Sequence, residues 1–288
     1  MNRRVVMSLF IFFVVLVLSV GFFGCKQNSD GQDDDDDDDN DDDDNHGEDE
    51  AAVYRVIQID DPLAQLYSDA EALGLDISNA SLEEDHSGWW IIGNDKFEIR
   101  RLLNSGYFNY INKKTEYPNY PVGEEPVSES EIETRALNLL HALGIPVEQM
   151  SGVSIDRMVQ QDDDSDLKET VSFLVTVNRR IDDIKVMYSE AEVAFNAEGE
   201  LHLISTSWRR VDPEPVRYEE IIGEEELRQI VEELLDSISN GSELTLFSGR
   251  YAYVEGPYKE IQEEFTLVYI YMYSFGDFLW EESIPATR

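Results

Sequence analysis

Three amphipathic segments, each followed by strand-like sequence, limit how residues 51–288 can fold. Each segment has apolar residues at helical spacing and a glycine beyond its last turn, where helices commonly end. The starts are marked by Asp61-Pro62, by a capping box of Ser128 and Glu131, and by Glu224–Glu226. The predicted buried faces are Leu63, Leu66, Tyr67, Ala70 and Leu73; Ile132, Ala136, Leu139, Leu140 and Leu143; and Leu227, Ile230, Val231, Leu234, Leu235 and Ile238.

The strand-like segments after each helix predict antiparallel sheets. Gly93-Asn94-Asp95 lies between two apolar runs and indicates a hairpin, and Asn196–Gly199 is typical of a tight turn. Helices and strands do not alternate as they do around a parallel sheet. The sequence therefore predicts an α+β fold in which antiparallel sheets pack on single helices, with units at 51–126, 127–222 and 223–288.

The first 24 residues have the pattern of an export signal. Arg3 and Arg4 precede Val5–Phe23, which is almost entirely apolar. A basic start followed by an apolar stretch is read by the export machinery and then removed. The run also approaches the length of a membrane span, so an uncleaved transmembrane anchor is the alternative. We expect residues 1–24 to be a signal peptide.

The single cysteine of the chain, Cys25, directly follows this stretch. Phe22-Phe23-Gly24-Cys25 resembles a bacterial lipobox, with Phe22 where leucine is usual. The resemblance implies cleavage after Gly24, attachment of diacylglycerol to the sulfur of Cys25, and acylation of the new N-terminus. Each buried methylene contributes about 0.8 kcal/mol, so two or three acyl chains anchor a protein stably. The expected location is the cell envelope, with the folded part outside the cytoplasm.

Residues 25–50 are expected to form a disordered tether behind the lipidated cysteine. Asp33–Asp39 and Asp41–Asp44 are pure aspartate, so the segment repels itself and has nothing to bury. A calcium loop starting at Asp42 would need a bidentate glutamate where Val53 stands. The sequence favours a solvated spacer, and a surface lipoprotein that binds calcium or other cations through this tract is the alternative.

Acidic charge is not confined to the tether. The chain has 22 basic and 62 acidic residues; residues 1–50 hold three basic and fifteen acidic ones, which leaves residues 51–288 with a net charge of −28. Proteins that bind nucleic acid neutralise its phosphates with clustered lysine and arginine, so the sequence predicts no nucleic-acid partner. A chain with one cysteine has no internal disulfide, and burial must supply its stability.

Catalytic motifs are absent from the sequence, which has no nucleophile elbow, phosphate-binding loop or dinucleotide turn. None of the four histidines has the spacing of a zinc site. We expect no enzyme and no cofactor. The acidic loop Asp162, Asp163, Asp164 and Asp166 is a candidate metal site that lacks a partner glutamate. A hydrolase that uses a carboxylate pair, such as Asp182-Asp183 or Glu263-Glu264, is the alternative.

Residues 127–212 resemble a PepSY-type module. The resemblance rests on the helix exit Leu143-Gly144-Ile145 and on the closing hairpin from Glu192 through Gly199 to Trp208. Three helix-plus-hairpin units behind a membrane anchor are also similar to envelope regulators of the Yyc type, which act on sensor kinases. The resemblance implies PepSY-like or cystatin-like units that bind or inhibit without catalysis. We therefore expect a lipid-anchored module that binds another envelope protein.

Overall fold

A computed structural model of the chain describes residues 50–85, 87–102, 105–161, 167–239, 244–257, 260–275 and 278–288. The helices are α1 (Pro62–Ala72), α2 (Glu129–Ala142) and α3 (Glu224–Ile238), with a short 3₁₀ helix at Val147–Gln149. The strands are β1 (Glu50–Arg55), β2 (Ser81–Glu84), β3 (Trp89–Gly93), β4 (Phe97–Leu102), β5 (Tyr107–Asn112), β6 (Tyr120–Pro121), β7 (Met150–Gln161), β8 (Lys168–Ile181), β9 (Ile184–Asn196), β10 (Leu201–Ser207), β11 (Arg217–Glu220), β12 (Leu244–Val254), β13 (Glu264–Phe265), β14 (Val268–Phe275) and β15 (Phe278–Pro285).

The α+β class is confirmed, but the protein is rich in sheet rather than divided among single helices. Among the described residues, twelve strands form one sheet and β11, β1 and β13 form a second. The main path of the large sheet runs β15-β14-β12-β9-β10-β5-β4-β3-β2, and β8 adds β6 and β7. No helix of the described residues is long and apolar enough to cross a membrane.

Strand β9 joins the two halves of the large sheet. It pairs with β8 along one edge, and its second half pairs with β10 along the other. At its start, Val186 and Met187 pair in parallel with Tyr253 and Val254 of β12. The expectation of purely antiparallel pairing is therefore wrong here. The pairing of β8 with β9 shifts in register at this point: Asn178 pairs with Glu190, and the next residue, Arg179, pairs with Val186. The shift marks the place where the other edge of β9 changes its partner from β12 to β10.

Buried side chains fall into two clusters on this framework. The first packs α1 and α2 against strands β3 to β5 and β8 to β10. The second packs α3 with β1, β12, β13 and β14. The first two predicted units therefore share one core, while residues 51–56 contribute to the core of the third. The three sequence ranges stay a prediction about how the chain is organised.

Helix α2 has the face that its spacing predicts. Ile132, Ala136 and Leu140 are fully buried, and Asn138 is exposed. The side chain of Ser128 accepts a hydrogen bond from the backbone N–H of Glu131 at 3.3 Å, as the capping box requires. These local rules were sufficient to predict the buried face of α2, because the apolar spacing and the capping residue indicate the same orientation of the helix.

Helices α1 and α3 depart from their predicted faces. In α1 the cap at Asp61 is confirmed, but Tyr67 is exposed and Asp69 is buried. The carboxylate of Asp69 faces inward because it pairs with Arg101 of β4. In α3, Leu227, Val231 and Leu235 are buried, whereas Ile230 and Leu234 are about 40% exposed, since the sheet covers only one narrow stripe of the helix.

Candidate functional site

An apolar surface lies at the outer end of the large sheet. Strand β15 is its edge strand, and Phe278, Leu279 and Trp280 at its start are 69%, 65% and 51% exposed. Phe247 of β12 is 59% exposed. We call Phe278, Leu279 and Trp280 the edge surface. Monomeric proteins rarely expose contiguous large apolar side chains, and such patches mark interaction sites.

The aromatic residues of β15 continue a row that is buried further inside. Trp280 pairs with Tyr273 of β14. Directly paired residues of antiparallel strands project from the same face. Tyr271 and Tyr273 on that face are buried in the second core with α3. The same sheet face therefore passes from a covered region to an exposed aromatic one.

The acidic residues of β15 are held by neighbouring strands. Glu281 accepts hydrogen bonds from Arg250 at 3.1 Å and from Tyr188 at 3.2 Å. Glu282 accepts from the hydroxyls of Tyr271 and Tyr273 at 3.2 and 3.0 Å. Natural edge strands are commonly blunted by free charges or by proline. In β15 the carboxylates of Glu281 and Glu282 are already hydrogen-bonded to neighbouring strands, and the first three residues of the strand are all apolar.

A buried ionic centre lies where the two cores meet. Glu255 accepts hydrogen bonds from Arg209 at 2.9 Å and from Arg179 at 3.4 Å, and all three side chains are nearly inaccessible. Arg209 also donates to the carbonyl oxygens of Gly256, Pro257 and Glu260. The guanidinium of Arg179 lies 5.1 Å from the ring centroids of both Trp208 and Phe265.

This centre contains two positive charges and one negative charge. Burial lowers the pKa of Arg179 to about 10, so the side chain stays positive at neutral pH. Its Nε donates to Gln149 at 3.0 Å, and the two aromatic faces offer further stabilisation of the cation. The arrangement is structural, because every one of its charged groups is enclosed.

A second polar network connects α1 with the end of β10. Arg101 Nε donates to Asp69 at 2.8 Å, and Gln65 donates to the other oxygen of Asp69 at 2.9 Å. Gln65 accepts in turn from Arg210 Nη1 at 3.2 Å, and Arg210 Nη2 donates to the carbonyl of Leu143 at 3.1 Å. Arg101 therefore binds the carboxylate of Asp69 directly, and Arg210 reaches it only through Gln65, at a point where α1, β4 and residues 208–210 meet.

Of the predicted site residues, the structure describes only the two carboxylate pairs. Cys25 and the acidic loop Asp162, Asp163, Asp164 and Asp166 lie outside the described residues. Asp182 and Asp183 form the turn between β8 and β9, where Asp182 accepts from Tyr54 and Asp183 pairs with Arg180. Glu264 pairs with Arg217 at 2.7 Å, while Glu263 is exposed. Among the described residues, no group of three histidine, cysteine or acidic side chains could hold a metal ion.

Sequence reasoning missed the edge surface and both arginine networks. The run Phe278-Leu279-Trp280, three consecutive large apolar residues, was the available signal for the first. For the networks, the signal was the pairs Arg179-Arg180 and Arg209-Arg210, which directly follow apolar strand sequence in a chain poor in basic residues. Most of the tyrosines described in the third unit are core residues: Tyr253, Tyr269, Tyr271 and Tyr273 are buried.

Comparisons with known proteins give structural neighbours only. No protein family and no curated protein matches the chain. The crystal structure of an uncharacterized protein from Eubacterium rectale matches with a TM-score of 0.46 and 11% identity, over 82% of each chain. The C-terminal domain of YpeB from Bacillus megaterium matches with a TM-score of 0.29 and 13% identity, over 81% of this chain and 94% of that domain.

Proposed function

We propose that this protein is a lipid-anchored module of the bacterial cell envelope that binds a partner protein without catalysis. In this proposal Cys25 carries the lipid, residues 25–50 form the tether, and the folded part is built of PepSY-like units. The observation that carries the binding role is the edge surface. Phe278, Leu279 and Trp280 stand exposed on a strand whose outer side pairs with no other described strand.

The geometry favours an extended segment of the partner, added as a further strand beside β15. An edge strand offers a row of backbone donors and acceptors, which pair with an incoming strand, while the side chains supply selectivity. Phe278 and Trp280 on one face and Leu279 on the other would contact apolar residues of that segment. The net charge of −28 on residues 51–288 disfavours a second copy and favours a segment with positive charge.

Removing the edge surface should abolish binding. When the full-length protein is cross-linked in membranes and captured, it should retain a partner protein. The double variant Phe278→Ser, Trp280→Ser should retain at least tenfold less of that partner. The matched control is Ile261→Ser, because Ile261 is equally apolar and 64% exposed but lies outside the surface. The identified partner should then slow hydrogen exchange in residues 278–285. A partner that the double variant retains, or protection confined to other strands, contradicts the proposal.

The anchor is tested separately. Cys25→Ser removes the sulfur that would carry the lipid, so the variant should take up no labelled palmitate and should keep its first 24 residues, whereas the wild type should be labelled and cleaved. The control is Ser29→Cys in the Cys25→Ser background, which restores a thiol four residues away from the lipobox-like sequence. Wild-type protein without label, or with its first 24 residues intact, would show that the chain is not a lipoprotein.

A further inference from the structure

A cleft of about 310 Å³ lies against the second half of β15, where Glu281 and Ser283 line it. Ile270 of β14, which pairs with Ser283, and Val254 of β12 also line the cleft and give it an apolar floor. Residues two positions apart in a strand share a face, so Leu279, Glu281 and Ser283 project on the same side of the sheet. The cleft is therefore on the same face as Leu279 of the edge surface, further along the same strand.

An exposed aromatic side chain, Tyr188 of β9, also lines this cleft. It is 62% exposed and lies where the pairing of β9 shifts in register. Its backbone has a φ of +61°, a conformation that bulky residues rarely adopt. The hydroxyl donates to Glu281 at 3.2 Å, which holds the ring beside β15. A ring fixed in an exposed position offers its face to a ligand, and backbone outliers of this kind cluster at binding sites.

The lining of the cleft is negatively charged. Glu281 and Glu282 line it, and none of the described residues that line it is basic. Glu281 is paired with Arg250, whose guanidinium is 3.1 Å away. Glu282 accepts hydrogen bonds from two neutral tyrosine hydroxyls, which do not balance its charge. Two carboxylates with one neighbouring guanidinium favour a ligand with a positive charge.

An arginine side chain matches this combination of groups. Its aliphatic stem can lie on the apolar floor, while its planar guanidinium stacks on an aromatic face and donates to a carboxylate. The two oxygens of Glu281 each accept one hydrogen bond, from Tyr188 and from Arg250. Each carboxylate oxygen has two lone pairs, so both can accept one bond more. Lysine would supply the charge without the planar fork.

We propose that this cleft receives an arginine side chain of the partner segment that pairs with β15. The inference rests on the proposed function, because it names a residue that the bound segment must carry. In a strand beside β15, the residue opposite Glu281 projects on the face of the cleft, and the next three residues lie opposite the edge surface. The segment that fits is therefore one arginine next to three consecutive apolar residues.

Peptide binding to the full-length protein in detergent micelles tests this subsite by fluorescence anisotropy, with protein-free micelles as the blank. The labelled probes are the hexapeptide threonine-arginine-valine-leucine-valine-threonine, its reversed sequence, and both sequences with citrulline, the uncharged isostere of arginine. The two directions cover antiparallel and parallel addition to β15. In at least one direction, the arginine peptide should bind at least tenfold more tightly than its citrulline counterpart. Equal affinity in both directions overturns the subsite and leaves strand addition standing, whereas no binding of any peptide overturns both.

Variants separate the cleft from general attraction of arginine to this acidic chain. Glu281→Gln removes the carboxylate, and Tyr188→Asn removes the ring with a residue that tolerates a positive φ. Each should weaken the arginine peptide at least fivefold and leave the citrulline peptide unchanged, with an unaltered circular dichroism spectrum. The matched controls are Glu198→Gln and Tyr120→Asn, since Tyr120 donates to Glu198 at 2.6 Å in a similar pair outside the cleft.

The double variant Phe278→Ser, Trp280→Ser measures strand addition separately from the cleft. It should weaken the arginine and citrulline peptides by the same factor, because both peptides carry the same apolar residues. Arginine-peptide affinity that is unchanged in Glu281→Gln and Tyr188→Asn, or that falls equally in their controls, would mean nonspecific attraction and would overturn the subsite.

Discussion

Gly106→Ala should destabilise this protein by about 4–6 kcal/mol, a large part of the roughly 5–15 kcal/mol by which domains are ordinarily stable. A Cβ at this position would stand 1.9 Å from the carbonyl carbon of Trp208 and 2.1 Å from the backbone nitrogen of Arg209. Flexible side-chain ends can move away from such a clash, but here the obstacle is backbone. Gly106 also accepts hydrogen bonds through its carbonyl from Trp208 N–H and from the Thr206 hydroxyl, both at 3.1 Å. Displacing the chain would break both bonds.

Urea unfolding followed by circular dichroism measures this effect, and Gly223→Ala is the matched control. A Cβ on Gly223 meets no atom within 4 Å, so the control should change the free energy of unfolding by less than about 1 kcal/mol. Similar behaviour of the two variants would show that β5 and residues 208–209 do not approach as closely as described. A selective loss in Gly106→Ala supports the close contact of residue 106 with the backbone of Trp208 and Arg209.

Glu255→Gln should lower the free energy of unfolding by about 3–5 kcal/mol, since it leaves two buried guanidinium groups without a counter-charge. The substitution keeps the size of the side chain, so packing changes little. The exposed pair of Arg250 and Glu281 gives the comparison. Glu281→Gln should cost less than about 1 kcal/mol, because water already screens that interaction.

Arg179→Met distinguishes charge from packing at the same centre. It retains a long side chain between Trp208 and Phe265 and leaves Arg209 paired one-to-one with Glu255. We expect it to cost clearly less than Glu255→Gln when both are measured by urea unfolding. A larger loss in Arg179→Met would mean that the cation's contacts with the two aromatic rings, rather than its charge balance, hold the centre together.

Local rules explain which parts of this fold were predictable from sequence. The face of α2 and the cap at Asp61 depend on residues within four positions of each other, and both predictions were confirmed. The inward direction of Asp69 depends on Arg101, which is 32 positions away, so the apolar spacing of α1 indicated Tyr67 instead. The parallel contact between β9 and β12 likewise joins residues that no local pattern relates.

The buried ionic centre and the edge surface were harder to predict than the fold for the same reason. Glu255 lies 46 positions from Arg209 and 76 from Arg179, and nothing in the sequence around it differs from the other glutamates of this acidic chain. The exposed position of Phe278 and Trp280 follows from β15 being last in the strand order, and order within a sheet is a property of the whole fold. Residue type alone could not separate those aromatics from the buried tyrosines of β14.

Because both cores share strand β9, this strand determines how the protein unfolds. Its first part supports the core around α3 through β12, and its second part supports the core around α1 and α2 through β10. Neither core can melt without fraying a strand that the other needs, so heat or denaturant should disrupt both in a single cooperative transition. Cutting the chain before α3 would remove β12 and leave the beginning of β9 with a bare edge. The two cores therefore fold and unfold as one thermodynamic unit, although the sequence is a series of helix-plus-hairpin segments.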